Sequence, residues 1–413
     1  MDLTKREALI RASEMPALEP VLSGIQANIL TPFQRDHARY AFLRFTSGSV
    51  ACRRAMRELA GMVTSEWAGR SRQDQAPAIS IGLSWPGFKA LQLDAAPLGQ
   101  TFRAGFREFQ VGLGSSEWSA PFRPDTRFDA IVLIAAGESG DLESPSREVT
   151  ETFQPVANIA WQPGFVRRRD GRPVEHFGYV DGISQPPFYE EDQPPLHWPQ
   201  VRYPLSLILH RENWAPGGYG SFLVFLKLEQ HVDRYERAVR ELAKKLEGVD
   251  RAARQEYARA LIMGRTREGK PLADPLGESG NNFNYDHDRL GNHCPFASHM
   301  RKMNPRKEGS KVRRIARRST LYQDPSGERG TLFQCYQSDI GMQFEHLMEW
   351  SFSNHRFEYG AGMDPLLGSR FTQAQKWPVA PGGELTQCTI SSLVTIRGGE
   401  YFYVPSIPFL SGL

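Results

Sequence analysis

Residues 294–318 read CPFASHMRKMNPRKEGSKVRRIARR and place one histidine, His299, ahead of a dense run of arginines and lysines. Phe296, Ala297 and Met300 give this histidine apolar neighbours. A histidine among apolar residues and followed by basic ones suits a flat, hydrophobic, anionic ligand that is held through a metal. Haem has these properties, because its iron accepts an axial imidazole and its two propionates accept arginine or lysine. The stretch therefore predicts a haem site and the fold built around it.

Two simpler interpretations of this stretch stay open. A single histidine near apolar residues is commonly a structural one, and a basic run is commonly a solvated surface or a nucleic-acid patch. The 413-residue chain has a formal net charge of only +3, which is too mild for nucleic acid to be the main partner. Further motifs are needed to choose between haem and a structural histidine.

The cysteine usage and the hydrophobic pattern bear on where the chain works. Its four cysteines, Cys52, Cys294, Cys335 and Cys388, are scattered and form no C-x-x-C pair, so we expect reduced, buried thiols of an intracellular protein. The first residues contain no apolar signal segment, and no window approaches the ~18–20 consecutive apolar residues of a membrane span. The sequence predicts a cytoplasmic protein that binds neither membrane nor nucleic acid.

The periodicity of the first half predicts an alternation of strands and helices. Strands are expected over residues 38–45, 78–83 and 128–136, with a helix over residues 50–62. Residues 138–176 are rich in Pro, Gly and Asp and are predicted to form a long irregular connection. The same reasoning assigns irregular structure to residues 183–202 and 265–295.

The second half repeats this order of elements. Strands are expected over residues 205–209, 220–228 and 331–336, and a final hairpin is expected to turn at Gly398 and Gly399. Helices are predicted over three stretches, which are residues 232–246, 251–263 and 342–352. The repeated order indicates a duplicated α+β unit with antiparallel sheets, divided into halves of residues 1–195 and 196–413.

A second motif, HFGYVDGISQP, covers residues 176–186. Asp181 stands between apolar residues, and the glycines Gly178 and Gly182 lie on either side of it. This pattern directs one carboxylate from a tight loop into an apolar pocket, where burial raises its pKa and a nearby arginine lowers it. The alternative is an ordinary turn aspartate that hydrogen-bonds the backbone next to Gly182.

Taken together, the two motifs resemble the dye-decolorizing peroxidases, which are haem b peroxidases built from two ferredoxin-like halves. GYVDG matches the G-x-x-D-G signature of that family, and residues 294–306 resemble its stretch around the proximal haem histidine. The resemblance also covers four further stretches in order, which are residues 25–45, 220–228, 330–345 and 398–413. It spans nearly the whole chain and implies that the C-terminal half holds most of the haem.

The resemblance implies roles for individual residues. His299 would be the axial ligand of the iron, and Asp181 with Arg317 would be the distal catalytic pair. Asp364, in MDPLLG, would accept a hydrogen bond from the axial imidazole, and Phe333 would shield the distal face.

The arginines around Arg317 are harder to assign from the resemblance. Arg301 and Arg314 are expected to bind the cofactor. Arg313 and Arg318 are expected on a propionate or in solvent. After Arg317 the sequence reads RSTLYQ, where the family commonly has glycine or asparagine, an apolar residue, proline, an aromatic residue and glycine. We expect the backbone after the distal arginine to be set differently here.

The activity that the resemblance implies is the reduction of hydrogen peroxide through a ferryl intermediate and the oxidation of dyes, phenols or other one-electron donors. Bulky donors are expected to react at the surface through tyrosine or tryptophan, with Tyr336 and Trp377 as candidates. Two alternatives remain: a haem-binding protein of the same fold with little peroxidase turnover, and a scaffold whose halves only bind partners.

Overall fold

The computed structural model describes residues 2–71, 76–113, 118–123, 126–192, 203–215, 217–248, 250–274, 281, 283–352, 354, 360, 362–368 and 374–413. The predicted boundary between the halves, at residues 195 and 196, lies outside these residues. All four cysteines are described, and each is buried and outside any disulfide. Among the helices in these ranges, none has the length and apolarity needed to cross a bilayer.

The first half is a four-stranded antiparallel sheet with two helices. Its elements are β1 (His37–Phe45), α1 (Ser49–Ala60), β2 (Ala78–Leu83), β3 (Ala130–Ala136), α2 (Glu143–Phe153) and β4 (Ala157–Phe165). The strands lie in the order β2-β3-β1-β4 and all pair antiparallel. This β-α-β-β-α-β succession is the ferredoxin-like arrangement.

The second half repeats the arrangement with an insertion, residues 244–319, between its first helix and its second strand. Its elements are β5 (Tyr219–Gln230), α3 (Val232–Ala243), α4 (Arg251–Met263), α5 (His299–Met303), β6 (Thr320–Gln323), β7 (Arg329–Gln337), π-helical turns at Gly341–Glu345 and Leu347–Phe352, and β8 (Val394–Val404). The strand order is β8-β5-β7-β6, again antiparallel. Further helices pack around both sheets, at Met15–Leu22, Glu66–Ser71, Trp85–Ala90, Gly99–Leu113 and Ile407–Ser411.

The two sheets close into one eight-stranded barrel instead of standing apart. One seam is the pairing of Tyr403 on β8 with Leu83 on β2, and the other is the pairing of Leu321 on β6 with Phe165 on β4. Aromatic side chains such as Tyr40, Phe42 and Phe225 fill the interior, with ring centroids about 5 Å apart. The outer faces of both sheets pack against helices, which buries a second apolar layer.

Three local predictions were wrong. Residues 138–176 contain α2 and β4, which the sequence obscured because the strand carries Pro163 and has several half-exposed positions. Gly398 and Gly399 do not form a hairpin turn; they lie within β8, where the pairing with β5 shifts register between Ile396 and Gly398. The expected strand over residues 205–209 is instead a short 3-10 turn, Leu205–Leu207.

The outer face of the second sheet provides the floor of a cavity. Leu226 and Leu228 on β5 and Thr331 and Phe333 on β7 project from that face, because alternate residues of a strand point to opposite sides. The helical segments, the loops of the insertion and the loop of residues 175–184 form the other walls. The second sheet therefore carries the site, while the first completes the barrel behind it.

Glu400, a buried residue on β8, makes stability depend on pH. Burial raises the pKa of Glu400 from 4.5 to about 7, although the N–H of Tyr401 donates to its carboxylate at 3.0 Å. Between these pH values the folded protein binds more protons than the unfolded one. The contribution of Glu400 to the free energy of unfolding is therefore complete below about pH 4.5 and is lost as the pH rises toward 7.

We predict that Glu400→Gln removes this loss, which amounts to about 3 kcal/mol in the free energy of unfolding. Urea unfolding at pH 5 and pH 8 measures it, and the exposed Glu151→Gln on α2 is the control. The free energy of unfolding of the variant, minus that of the unmodified protein, should be more positive at pH 8 than at pH 5. An identical pH dependence in both proteins would contradict the prediction.

Candidate active site

The cavity lies between the second sheet and the insertion, with about 1670 Å³ of space free of atoms when its mouth is included. Most of its lining is apolar and comes from both the sheet and the helical segments, for example Leu226, Leu228, Phe333, Phe344, Leu347, Met348, Leu366 and Val394. Four polar residues of the two sequence motifs line the same cavity: His299, Asp181, Arg314 and Arg317. A large apolar cavity with a few convergent polar groups is the usual form of a cofactor site.

His299 begins α5 and is oriented by Asp364. Its Nδ1 lies 2.9 Å from Oδ2 of Asp364, whose side chain is fully buried. The other carboxylate oxygen accepts the backbone N–H groups of Leu366 and Leu367, at 2.8 and 3.1 Å. This carboxylate favours a proton on Nδ1, so a metal bound by the imidazole would be bound through Nε2.

Asp181 occupies a loop that two glycines shape. Gly178 and Gly182 have φ angles of +94° and +81°, a region that side-chain-bearing residues rarely adopt. The N–H of Gly182 donates to Oδ1 of Asp181 at 2.6 Å, and Nη1 of Arg317 lies 3.7 Å from the same oxygen. Both side chains are more than a third exposed, so a small molecule in the cavity reaches them.

The backbone of Arg317 is fixed by strand pairing and by a hydrogen bond. It lies in the two-residue strand Ala316–Arg317, which pairs with Cys335 and Tyr336 at the edge of β7. Its N–H donates to Oε1 of Gln185 at 2.9 Å. The two sequence motifs therefore meet here, since Gln185 belongs to the stretch that carries Asp181.

Glu175 is a cavity residue that sequence reasoning missed. Its carboxylate accepts the N–H groups of Phe177 and Tyr179 at 2.8 Å each and also contacts Nε2 of Gln230. These bonds fold the loop that leads to Asp181 and tie it to β5. Burial raises the pKa of Glu175. A signal was present, because an acidic residue just ahead of a glycine-containing loop is suited to bind that loop's amides.

Two arginines that line the cavity donate hydrogen bonds to uncharged groups. Arg265, another residue missed from the sequence, donates to the carbonyl of Gly269 at 2.8 Å and to Oδ1 of Asn281. Arg314 donates to the carbonyl and hydroxyl of Ser184 at 2.9 and 3.2 Å, and its buried Nε has no partner among the described residues. Burial lowers the pKa of Arg265 to about 10, so it remains charged at neutral pH. Such charges favour an anionic ligand in the cavity.

Arg301 lies outside the cavity lining, contrary to its expected part in cofactor binding. It is buried, with Nη1 at 2.8 Å from Oδ2 of Asp288 and its guanidinium stacked on Phe296. Asp288 neutralises this charge, so Arg301 supports the wall of the cavity and is left out of the proposed site. Phe333 does line the cavity.

The two residues suggested for electron transfer at the surface are not at the surface. Tyr336 and Trp377 are 1 % and 0 % exposed, so neither touches a donor from solvent. Tyr336 packs in the barrel interior, and the indole N–H of Trp377 donates to the carbonyl of Cys388. Aromatic content alone does not reveal exposure.

Comparisons with known proteins identify relatives of this chain. Residues 177–359 match the family model described as Dyp-type peroxidase, C-terminal. The chain is 31 % identical to the multifunctional dye peroxidase DyP2 of Amycolatopsis sp., with 95 % of this chain and 96 % of that protein aligned. Among solved structures, the DyP-type peroxidase of Anabaena sp. superposes with a TM-score of 0.89 at 30 % identity, covering 99 % of this chain and 98 % of that one.

A further solved structure is a dye-decolorizing peroxidase in complex with 2,6-dimethoxyphenol, at 25 % identity, a TM-score of 0.83 and coverage of 94 % of this chain and 98 % of that one. The similarity extends over the whole length and includes both ferredoxin-like halves. The chain therefore belongs to the dye-decolorizing peroxidase family of haem-dependent peroxidases.

Proposed function

We propose that this peroxidase binds haem b in the cavity, reduces hydrogen peroxide there, and oxidises aromatic one-electron donors such as dyes and phenols. The observation that carries the proposal is the convergence of two pairs on one cavity: His299 with Asp364, and Asp181 with Arg317. A histidine fixed by a buried carboxylate suits axial ligation, and an acid beside an arginine suits the handling of peroxide.

The cavity residues fit haem b in three respects. Nε2 of His299 would hold the iron, and the apolar side chains from the sheet and helices would enclose the ring. Arg314 and Arg265, whose partners are neutral groups, would bind the propionates. The chemistry that haem supplies when bound is redox: it takes two oxidising equivalents from peroxide and returns them one at a time to donors.

Asp181 and Arg317 would have different roles in the reaction with peroxide. Asp181 takes the proton from one peroxide oxygen and delivers it to the other, whose bond to the first then breaks. The guanidinium of Arg317 stabilises the negative charge on the departing oxygen. Over the full cycle hydrogen peroxide gains two electrons and two protons and leaves as two water molecules, while two donor molecules lose one electron each.

We predict that Arg314→Ala weakens haem binding by about 10- to 100-fold, because a charged hydrogen bond contributes roughly 1.5–3 kcal/mol. Haem titration of the apoprotein measures the affinity. Arg53→Ala is the matched control, since Arg53 also donates to backbone carbonyls, those of Leu91 and Gln92, but on α1.

Haem dimethyl ester separates charge from packing in the same titration. The unmodified protein should bind the ester more weakly than haem, and Arg314→Ala should lose most of that preference. Equal affinity of the variant and the unmodified protein for haem would contradict the assignment of Arg314 to a propionate.

We also predict that Asp181→Asn and Arg317→Ala each slow the reaction with peroxide by at least about 100-fold while haem stays bound. Stopped-flow absorption in the Soret region measures the second-order rate constant. Asp36→Asn is the control, because Asp36 forms an ion pair with Arg168 on the surface. Rates within twofold of the unmodified protein would overturn the catalytic roles, and an inert unmodified haem protein would favour haem binding without turnover.

A further inference from the structure

Arg318 follows Arg317 and has neither of the positions expected for it, on a propionate or in solvent. It is only 8 % exposed, and its guanidinium donates to four backbone carbonyls. Nε donates to Asn28 at 2.9 Å, Nη2 to Ile29 and Leu30 at 3.1 and 2.9 Å, and Nη1 to Arg317 itself at 2.9 Å. One side chain thus joins the residues before β1 to the residue that bears the proposed catalytic guanidinium.

Burying the charged side chain of Arg318 carries an energetic cost. A buried cation is costly unless its donors are satisfied, and here carbonyl oxygens satisfy them. Burial lowers the pKa of Arg318 to about 10, which still leaves it protonated at neutral pH. The rigid, planar fork of donors fixes the relative positions of its acceptors, which a lysine ammonium does not do.

The backbone of Arg317 is consequently held from two sides. Gln185 accepts its N–H at 2.9 Å, and Arg318 donates to its carbonyl at 2.9 Å. Arg318 is itself anchored to β7, since its N–H donates to the carbonyl of Gln334 at 2.8 Å and its carbonyl accepts from Nε2 of Gln334 at 3.0 Å. The segment after Arg317 lacks the proline and glycines that the resemblance to the family leads us to expect. Hydrogen bonds from side chains hold the backbone of this segment instead.

We propose that Arg318 is a positioning residue, which clamps Arg317 to residues 28–30 and thereby keeps the Arg317 guanidinium beside Asp181. The inference rests on the proposed function of Arg317 and goes beyond it, because it makes the segment ahead of the first strand part of the support of the active site. A clamp of purely structural importance would lower stability but leave the peroxide reaction of the folded enzyme unchanged.

A double-mutant cycle on the haem-loaded enzyme tests the proposal. The variants are Arg318→Lys, Arg317→Ala and the pair, and the readouts are the second-order rate constant with peroxide and the melting temperature. Arg318→Lys alone should slow the peroxide reaction by about 10- to 100-fold through misplacement of Arg317. Added to Arg317→Ala, it should have no further effect, because the group that it positions is gone.

Two further variants keep the test decisive if Arg318→Lys folds poorly. Gln185→Ala releases the N–H of Arg317 without disturbing a buried charge, and it should slow the same step and lose its effect in the Arg317→Ala background. Arg53→Lys on α1 is the control and should leave the peroxide rate unchanged. Amide hydrogen exchange of the apoprotein supplies a readout without activity: the N–H of Arg317 should exchange faster in Arg318→Lys and in Gln185→Ala.

The outcomes separate the inference from the proposed function. If Arg317→Ala alone leaves the peroxide rate unchanged, the proposed role of Arg317 fails. If Arg317→Ala slows the reaction but Arg318→Lys and Gln185→Ala do not, or if their losses add fully in the double variants, the positioning role is overturned. The positioning role is supported if Arg318→Lys and Gln185→Ala slow the reaction alone but not in the Arg317→Ala background, and if the N–H of Arg317 exchanges faster in both.

Discussion

The site depends first on the hydrogen bond between Asp364 and His299. Asp364 is fully buried, and its carboxylate is satisfied by one imidazole and two backbone N–H groups. Such a carboxylate fixes both the tautomer and the orientation of the ring and makes the imidazole more electron-rich. In the proposed function this contact sets the position of a metal bound by His299, and Asp181 and Arg317 act on a peroxide held at that metal.

The second constraint is electrostatic. Arg265, Arg314 and Arg317 share the cavity, and Asp181 is the carboxylate that pairs with one of them. Burial lowers the pKa of Arg265 and Arg314, and the repulsion between these guanidiniums lowers it further. A dianionic ligand would relieve this repulsion, so the proposed binding of a haem with two propionates would stabilise the cavity wall. Arg301 and Arg318 show the contrast, since Asp288 neutralises the first and backbone carbonyls accept from the second, and neither lines the cavity.

The local motifs were the predictable part of the molecule. His299 and Asp181 lie in short stretches whose chemistry is visible from neighbours, and the repeated succession of strands and helices indicated two α+β halves. Contacts between distant residues were not predictable, because they depend on tertiary structure. Examples are the pairing of Arg301 with Asp288, the carbonyls of residues 28–30 around Arg318, and the closure of the barrel at Leu83 and Leu321. β4 was missed because its half-exposed face hides the alternation, and Gly398 reads as a turn because a bulge within a strand also favours glycine.

The most direct test of the account is the iron–imidazole stretching band in the resonance Raman spectrum of the ferrous, haem-loaded protein. The account predicts that Asp364→Asn shifts this band to lower frequency, because the amide no longer draws the proton of His299 away from the ring, and that His299→Ala abolishes it. A band that is unchanged in both variants would show that the iron is held by another residue and would contradict the account at its foundation.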